Sequence, residues 1–199
     1  MSDPITVIAR IYEPIQPIDR GDRYEDPLDA ALQVRHVGMV TGGGSQLNEH
    51  GAIEFAEIEI ELTNLDDGLA VAIEALENAG APEGSEIHRD GAVIRQFGAQ
   101  QCVAVYLDGV SLPDEVYTEL DFEAVVESLT NAAGPQSYHG LSQEAEETGL
   151  FFYGPNAEEM FARIEPVLRA LPIGQNARVA VRAGKSGLSS RTVRLPRHS

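Results

Sequence analysis

Cysteine is nearly missing from this chain. Cys102 stands alone among 199 residues, which excludes an intramolecular disulfide and any zinc site built from cysteines. A lone thiol suits a reducing compartment. Lysine is equally scarce, with Lys185 beside thirteen arginines. No apolar run approaches the roughly 20 residues that cross a bilayer. The opening Met1-Ser2-Asp3-Pro4 has no basic segment followed by an apolar one, so the expectation is a cytoplasmic chain without a secretory leader. Positive charge is short overall: 14 Lys and Arg face 32 Asp and Glu, a formal −18. A field of that size repels nucleic acid and anionic membrane and attracts basic partners. It also raises solubility, so the total alone fits an acidic but quiet surface equally well.

What is present is material for a core. Hydrophobic residues make up 43% of the chain and charged ones an ordinary 23%. The length suits two small domains or one medium one.

Element signals then follow in order. Residues 5–12 read as a β-rich strand, broken by Pro14, Pro17 and Gly21, with a polar loop over 19–26. Residues 27–35 read as a short helix with Pro27 in its first turn. A strand over 36–41 leads into Gly42-Gly43-Gly44, taken as a flexible hairpin. Residues 53–62 alternate as a strand with one buried face. Thr63 or Asn64 can cap a helix over 65–79, with Asp66 and Asp67 at the positive end of its dipole. A hairpin over 85–97 turns at Asp90-Gly91. The order then restarts: a strand at 103–107, a helix at 121–133, strands at 138–143 and 149–153, a helix at 156–171 capped by Asn156, and a closing hairpin over 178–195 around 185–190.

An offset of 92 residues lays one half on the other. Asn64 falls on Asn156, Asp66 and Asp67 on Glu158 and Glu159, and Ile58 and Ile60 on Leu150 and Phe152. Each half runs strand, helix, two strands, helix, strand, with one added closing strand. That is the split βαβ order. The expected fold is therefore α+β: two tandem ferredoxin-like βαββαβ units, each an antiparallel sheet with two helices on one face. The boundary falls near Gly98–Gln100, giving units 1–98 and 99–199.

The most informative stretch is 53–62. Ala56, Ile58, Ile60 and Leu62 point one way, and Glu57, Glu59 and Glu61 the other. In a ferredoxin-like unit both helices cover one sheet face, so the glutamates line the open one, roughly 7 Å apart. Like charges that close lower stability. A solvated outer face is the plain explanation for one strand, but the charge is also segregated along the chain. Residues 49–90 hold twelve acids and one Arg, and residues 108–165 hold thirteen acids and one Arg. The tail 178–199 holds six basic residues and no acid, leaving −24 on the first 177 residues. Such segregation speeds capture of a basic protein. The tail's own plain explanation is internal pairing with the acidic sheet. In the second half Phe151 and Tyr153 replace Glu59 and Glu61. A strand apolar on both faces is covered on both faces, either by another sheet or by a partner.

Conventional chemistry is weakly signalled. The glycine run lacks the Lys of a P-loop and does not sit at a strand-to-helix turn. His36 and His139 begin matching strands without ligand or triad spacing, and read as ordinary histidines. Glu144, Glu146 and Glu147 resemble a hairpin tip, lacking the spacing of a calcium loop. No catalytic residue, metal ligand or cofactor is assigned.

Residues 150–171 (LFFYGPNAEEMFARIEPVLRAL) and the doubled element order resemble tandem ferredoxin-like bacterial proteins of the kind found among immunity proteins of polymorphic-toxin systems. The resemblance implies a non-enzymatic, acidic inhibitor that occludes the active site of a basic toxin. It has no part for nucleic acid or membrane. The candidate partner surface is Glu54, Glu57, Glu59 and Glu61, with Phe151 and Tyr153. The competing reading is a small-molecule enzyme or ligand-binding module of the α+β barrel type, with a pocket enclosed by the sheets.

Overall fold

The computed structural model describes residues 4–49, 51–183 and 189–196. The chain divides into two compact units, Met1–Ala99 and Gln100–Ser199.

In unit 1, strand β1 (Ile5–Ile11) buries Val7, Ala9 and Ile11 and turns Thr6, Ile8 and Arg10 the other way. A helical segment follows in three pieces: α1 (Pro17–Arg20), a π-helical turn Gly21–Glu25, and α2 (Asp26–Val34). Most of the first two was expected as a loop. The segment is helical because Tyr24 anchors it, fully buried, with its hydroxyl donating to the buried Glu13 carboxylate at 2.5 Å. Burial, then the charge on Glu13, raise the Tyr24 pKa well above its ordinary value. Strands β2 (Gly38–Leu47) and β3 (Ile53–Leu62) come next, then α3 (Leu65–Asn78), β4 (Ser85–Arg89) and β5 (Ala92–Phe97). Asn64 caps α3, accepting from Asp67 N at 3.1 Å. Asp90 and Gly91 both take positive φ, 52° and 79°, as a two-residue hairpin turn requires.

Neighbouring strands of this sheet are antiparallel, in the order β2-β3-β1-β4-β5. The first four positions are the ferredoxin-like arrangement, and β5 is the addition. The core of unit 1 lies between the sheet and its helices, with Ile58, Ile60, Leu62, Leu28, Leu32, Leu69 and Leu76 in one cluster.

The glycine run is not a flexible hairpin. Gly42, Gly43 and Gly44 lie inside β2, opposite Glu59, Ile58 and Glu57. Gly43 faces the helices, where Arg20, only 8% exposed, binds Glu25 through Nε at 2.5 Å. A Cβ on Gly43 would collide with the Glu25 carboxylate and press on Arg20 Nη2 at 3.1 Å, whereas Gly42 and Gly44 face open space. Arg20 Nη1 also donates to Gly44 O at 2.8 Å, and Val40 N donates to Asp29 Oδ1 at 2.9 Å. β2 is an edge strand, and these two side chains occupy part of its hydrogen-bonding edge, a common guard against stray strand pairing.

Unit 2 repeats the plan: β6 (Gln101–Asp108), α4 (Asp114–Thr118), α5 (Phe122–Ala133), β7 (Tyr138–Gln143), β8 (Glu147–Gly154), α6 (Ala157–Ala170), a 3₁₀ turn Pro172–Gly174, β9 (Arg178–Ala183) and β10 (Ser189–Arg194). Its strand order is β7-β8-β6-β9-β10. The register repeats as well, with Ile5 opposite Leu62 in one unit and Gln101 opposite Gly154 in the other. α3 and α6 each have 14 residues, and Asn156 caps α6 by accepting from Glu159 N at 3.1 Å. The fold is thus α+β, two tandem ferredoxin-like units. Residues 185–188 of the expected closing turn lie outside the described residues.

Candidate functional site

Alternation along β3 builds the candidate surface. Ala56, Ile58, Ile60 and Leu62 are fully buried on the helix side, and Glu57, Glu59 and Glu61 take the opposite side. Glu54 does not join them. It lies at the exposed start of the strand, where the pairing with β2 passes from Phe55 to Ile53 and skips Glu54. The ladder is not uniform. Arg10 on β1 sits opposite Glu57 and binds its Oε1 through Nη2 at 2.7 Å and Nε at 3.1 Å. The same guanidinium stacks on Phe55, 4.3 Å from the ring centre. Glu59 Oε1 accepts from the Thr41 hydroxyl at 2.9 Å. Glu61 lies opposite Thr6 and Met39. Among the described residues no ion pair joins Glu59 or Glu61 to a cation.

Beside the ladder, Glu86 on β4 accepts from the Tyr12 hydroxyl at 3.0 Å and lies 3.0 Å from His88 Nε2. Burial alone would raise the Glu86 carboxyl, but hydrogen bonds from Tyr12, His88 and Gln96 hold it below its ordinary value. A depression of about 320 Å³ runs between Ile8, Arg10, Glu57 and His88. Its lining mixes both charge signs, so it favours no single ion.

The alternation along β3 does not by itself give Glu57 a partner. A signal existed: Arg10 is the only charge in the first strand, and the split βαβ order puts that strand beside the third.

Phe151 and Tyr153 occupy the matching face of unit 2 but are 5% and 4% exposed. They form a second cluster with Cys102, Ala104, Tyr106 and Ala180, separate from the helix-side core. Tyr106 meets Phe151 edge to face at 6.1 Å, and His139 stacks on Tyr153 at 4.5 Å. Both rings are buried, where an exposed partner surface was one of the two expectations.

The basic tail has partners inside unit 2. Arg178 binds Glu147 and lies over the Tyr106 ring at 3.7 Å. Arg182 donates to the Tyr106 hydroxyl at 2.9 Å. Arg191 grips Glu158 through Nη2 at 2.6 Å and Nε at 2.9 Å, and its hydrogen bonds hold the Glu158 carboxyl below its ordinary value. His36 lies exposed in the turn after α2, whereas His139 is inside β7. The two are not equivalent. Among the described residues no three His, Cys, Asp or Glu side chains converge as a metal site, and no helix is long and apolar enough to cross a membrane.

Comparison with protein-family models finds no match, and comparison with curated proteins finds none either. Solved structures do match at low identity. The regulatory subunit of aspartate kinase from Thermus flavus is 17% identical over 82% of this chain and 93% of its own, with a TM-score of 0.28. An unknown protein from Galdieria sulphuraria is 15% identical over 96% and 99%, with a TM-score of 0.29. The first two RRM domains of a yeast poly(U)-binding protein are 10% identical over 90% and 99%, with a TM-score of 0.24. At these identities and TM-scores nothing about activity, ligand or partner transfers to this chain.

Proposed function

We propose that this chain is an acidic protein-binding inhibitor that captures a basic protein on the outer face of the unit 1 sheet, in the manner of bacterial immunity proteins that plug a toxin's cleft. One observation carries the reading. Glu59 and Glu61 stand side by side on the face away from the helices, with no cation paired to either among the described residues, while the neighbouring Glu57 is held by Arg10. Like charges in that arrangement cost stability in the free protein. A partner that supplies Arg or Lys removes the repulsion and gains charge-assisted hydrogen bonds. The guarded edge of β2 supports docking on the face and not by strand addition.

In this mechanism the acidic field sets the encounter rate, and the paired carboxylates set the lifetime of the complex. Truncating a carboxylate buried in the complex would cost about 2–5 kcal/mol, and rim charges would mainly change association. The test is affinity capture from the source cell with the wild-type chain and the Glu57→Gln/Glu59→Gln/Glu61→Gln variant as parallel baits. The expected result is a basic protein retained by the first, weakened by salt, and retained at least roughly tenfold less by the second. Equal retention by both baits, or recovery of acidic partners alone, would overturn the reading.

A further inference from the structure

Unit 2 holds an apolar groove of about 330 Å³ between α4, the start of α5 and the Pro172–Gly174 turn. Its floor and walls are Val116, Leu120, Val125, Leu171 and Ile173. Its rim carries Glu115, Glu119 and Asp121 and no basic residue. Glu115 lies in α4 and Glu119 caps its C-terminus one turn on, with Glu119 N donating to Glu115 O at 3.0 Å. No ion pair is found for any of the three among the described residues.

The walls are fixed in advance. Asp108, at the end of β6, accepts hydrogen bonds from Val110 N at 2.9 Å, Ser111 N at 2.7 Å and the Tyr117 hydroxyl at 3.2 Å, and also from Asn176 Nδ2. The Tyr117 hydroxyl in turn accepts from Leu112 N at 2.9 Å. One carboxylate thereby ties α4 to β6 and to the loop that precedes β9. A groove held open by hydrogen bonds needs little reorganisation to receive a ligand.

The sign of that ligand follows from the rim. A helix N-terminus would ordinarily favour an anion. Here Asp121 already caps α5, accepting from Ala124 N at 3.0 Å, with Glu123 in the first turn. The positive end of the helix is answered, and Glu115 and Glu119 add uncompensated negative charge. The volume lies at the lower end of small-molecule sites, which are mostly apolar with a few polar groups at the mouth. We infer that this groove binds a small organic cation: an aliphatic or aromatic amine whose apolar body fills the groove and whose ammonium meets Glu115 and Glu119. This inference is independent of the partner-protein reading, whose surface lies in unit 1.

The test is a titration of the ¹⁵N-labelled full chain with phenylbutylammonium and, separately, with phenylbutyrate, which has the same apolar body and the opposite head. The expected result is that the cation shifts the amides of Val116, Leu120, Ala124 and Val125 and binds roughly tenfold tighter than the anion. Glu115→Gln with Glu119→Gln should cut the cation's affinity about three- to tenfold and leave the anion no weaker. Ala124→Trp, at an exposed position on the groove wall, should abolish the shifts for both probes while the rest of the spectrum stays folded. Equal affinity for the two probes would overturn the assignment. So would shifts confined to other residues, an affinity unmoved by all three substitutions, or no binding of the cation at millimolar concentration.

Discussion

The two units share a topology, a register and a helix-side core, yet use the other face of the sheet in opposite ways. In unit 1 the interior strand β3 turns Glu57, Glu59 and Glu61 outward. In unit 2 the matching strand β8 turns Phe151 and Tyr153 outward, and both are buried. The helix-side positions scarcely differ in kind: Ile58 and Ile60 in one unit, Leu150 and Phe152 in the other, all at 0% exposure. The helix-side face therefore specifies the fold, and the opposite face is free to be chosen by use. The sharpest way to break this comparison is to exchange the two faces. Phe151→Glu places a charge among Tyr106, Tyr153 and Ala180 and should cost about 3–5 kcal/mol. Glu59→Phe, on the solvated face, should stay within about 0.5 kcal/mol. Chemical denaturation of both variants decides it, and similar losses would show that the faces are not different in kind.

A second contrast concerns the segment before each unit's first long helix. Both units pin it with a tyrosine and a carboxylate. In unit 1 Tyr24 donates to Glu13, both buried. In unit 2 Tyr117 donates to Asp108, which keeps its bonds from Val110, Ser111 and Asn176. Tyr24→Phe should accordingly cost about 2 kcal/mol and Tyr117→Phe about 1 kcal/mol. The Asp108 carboxyl also responds to pH. Burial would raise it, but hydrogen bonds from Ser111, Val110 and Asn176 outweigh that and hold it far below its ordinary 3.8. A carboxyl depressed by folding stabilises the native state above its unfolded value, and that contribution is lost as pH falls through the folded one. Unit 2 should therefore weaken below about pH 4. Asp108→Asn should flatten that slope in denaturation curves recorded across the acid range. An unchanged slope would remove Asp108 from the account.

A third contrast lies within one strand. Gly43→Ala should cost about 1 kcal/mol, because the new methyl displaces the Arg20–Glu25 pair. Gly42→Ala and Gly44→Ala, facing open space, should be neutral or gain a few tenths through lower unfolded-chain entropy. Thermal melts of the three variants separate the two sides of β2.

These glycines also mark how far the sequence could be read. Periodicity found the strands and long helices, since alternation and caps are local: Asn156 caps α6 as expected, and of Thr63 and Asn64 it is Asn64 that caps α3. Repetition of element order then implied the topology. What failed was non-local. Nothing adjacent to Gly42-Gly43-Gly44 announces that Arg20 and Glu25 will lie against them. Nothing near Pro17 tells that Tyr24 will be buried on Glu13 and make the stretch helical. The pairing of Arg10 with Glu57 could be inferred only after strand order was assigned, and the groove beside α4 depends on Asn176 reaching Asp108 across 68 residues.

The finest test weighs the members of the ladder against one another. Glu57 sits between a like charge on its own strand and Arg10 on the next, whose guanidinium also rests on Phe55. Removing that carboxylate leaves Arg10 half-buried without its acceptor. Removing Glu59 relieves repulsion on both sides and loses only a bond from Thr41. Glu57→Gln should therefore lower stability by a few tenths to about 1 kcal/mol, and Glu59→Gln should raise it by about 0.2–0.5 kcal/mol. Both differences should shrink as ionic strength rises toward about 1 M, where screening acts within about 3 Å. Opposite signs at low salt, converging at high salt, would show that Glu59 is kept at a cost to the free chain. A destabilising Glu59→Gln would mean that the ladder is an ordinary solvated face, and the partner reading would lose its motive.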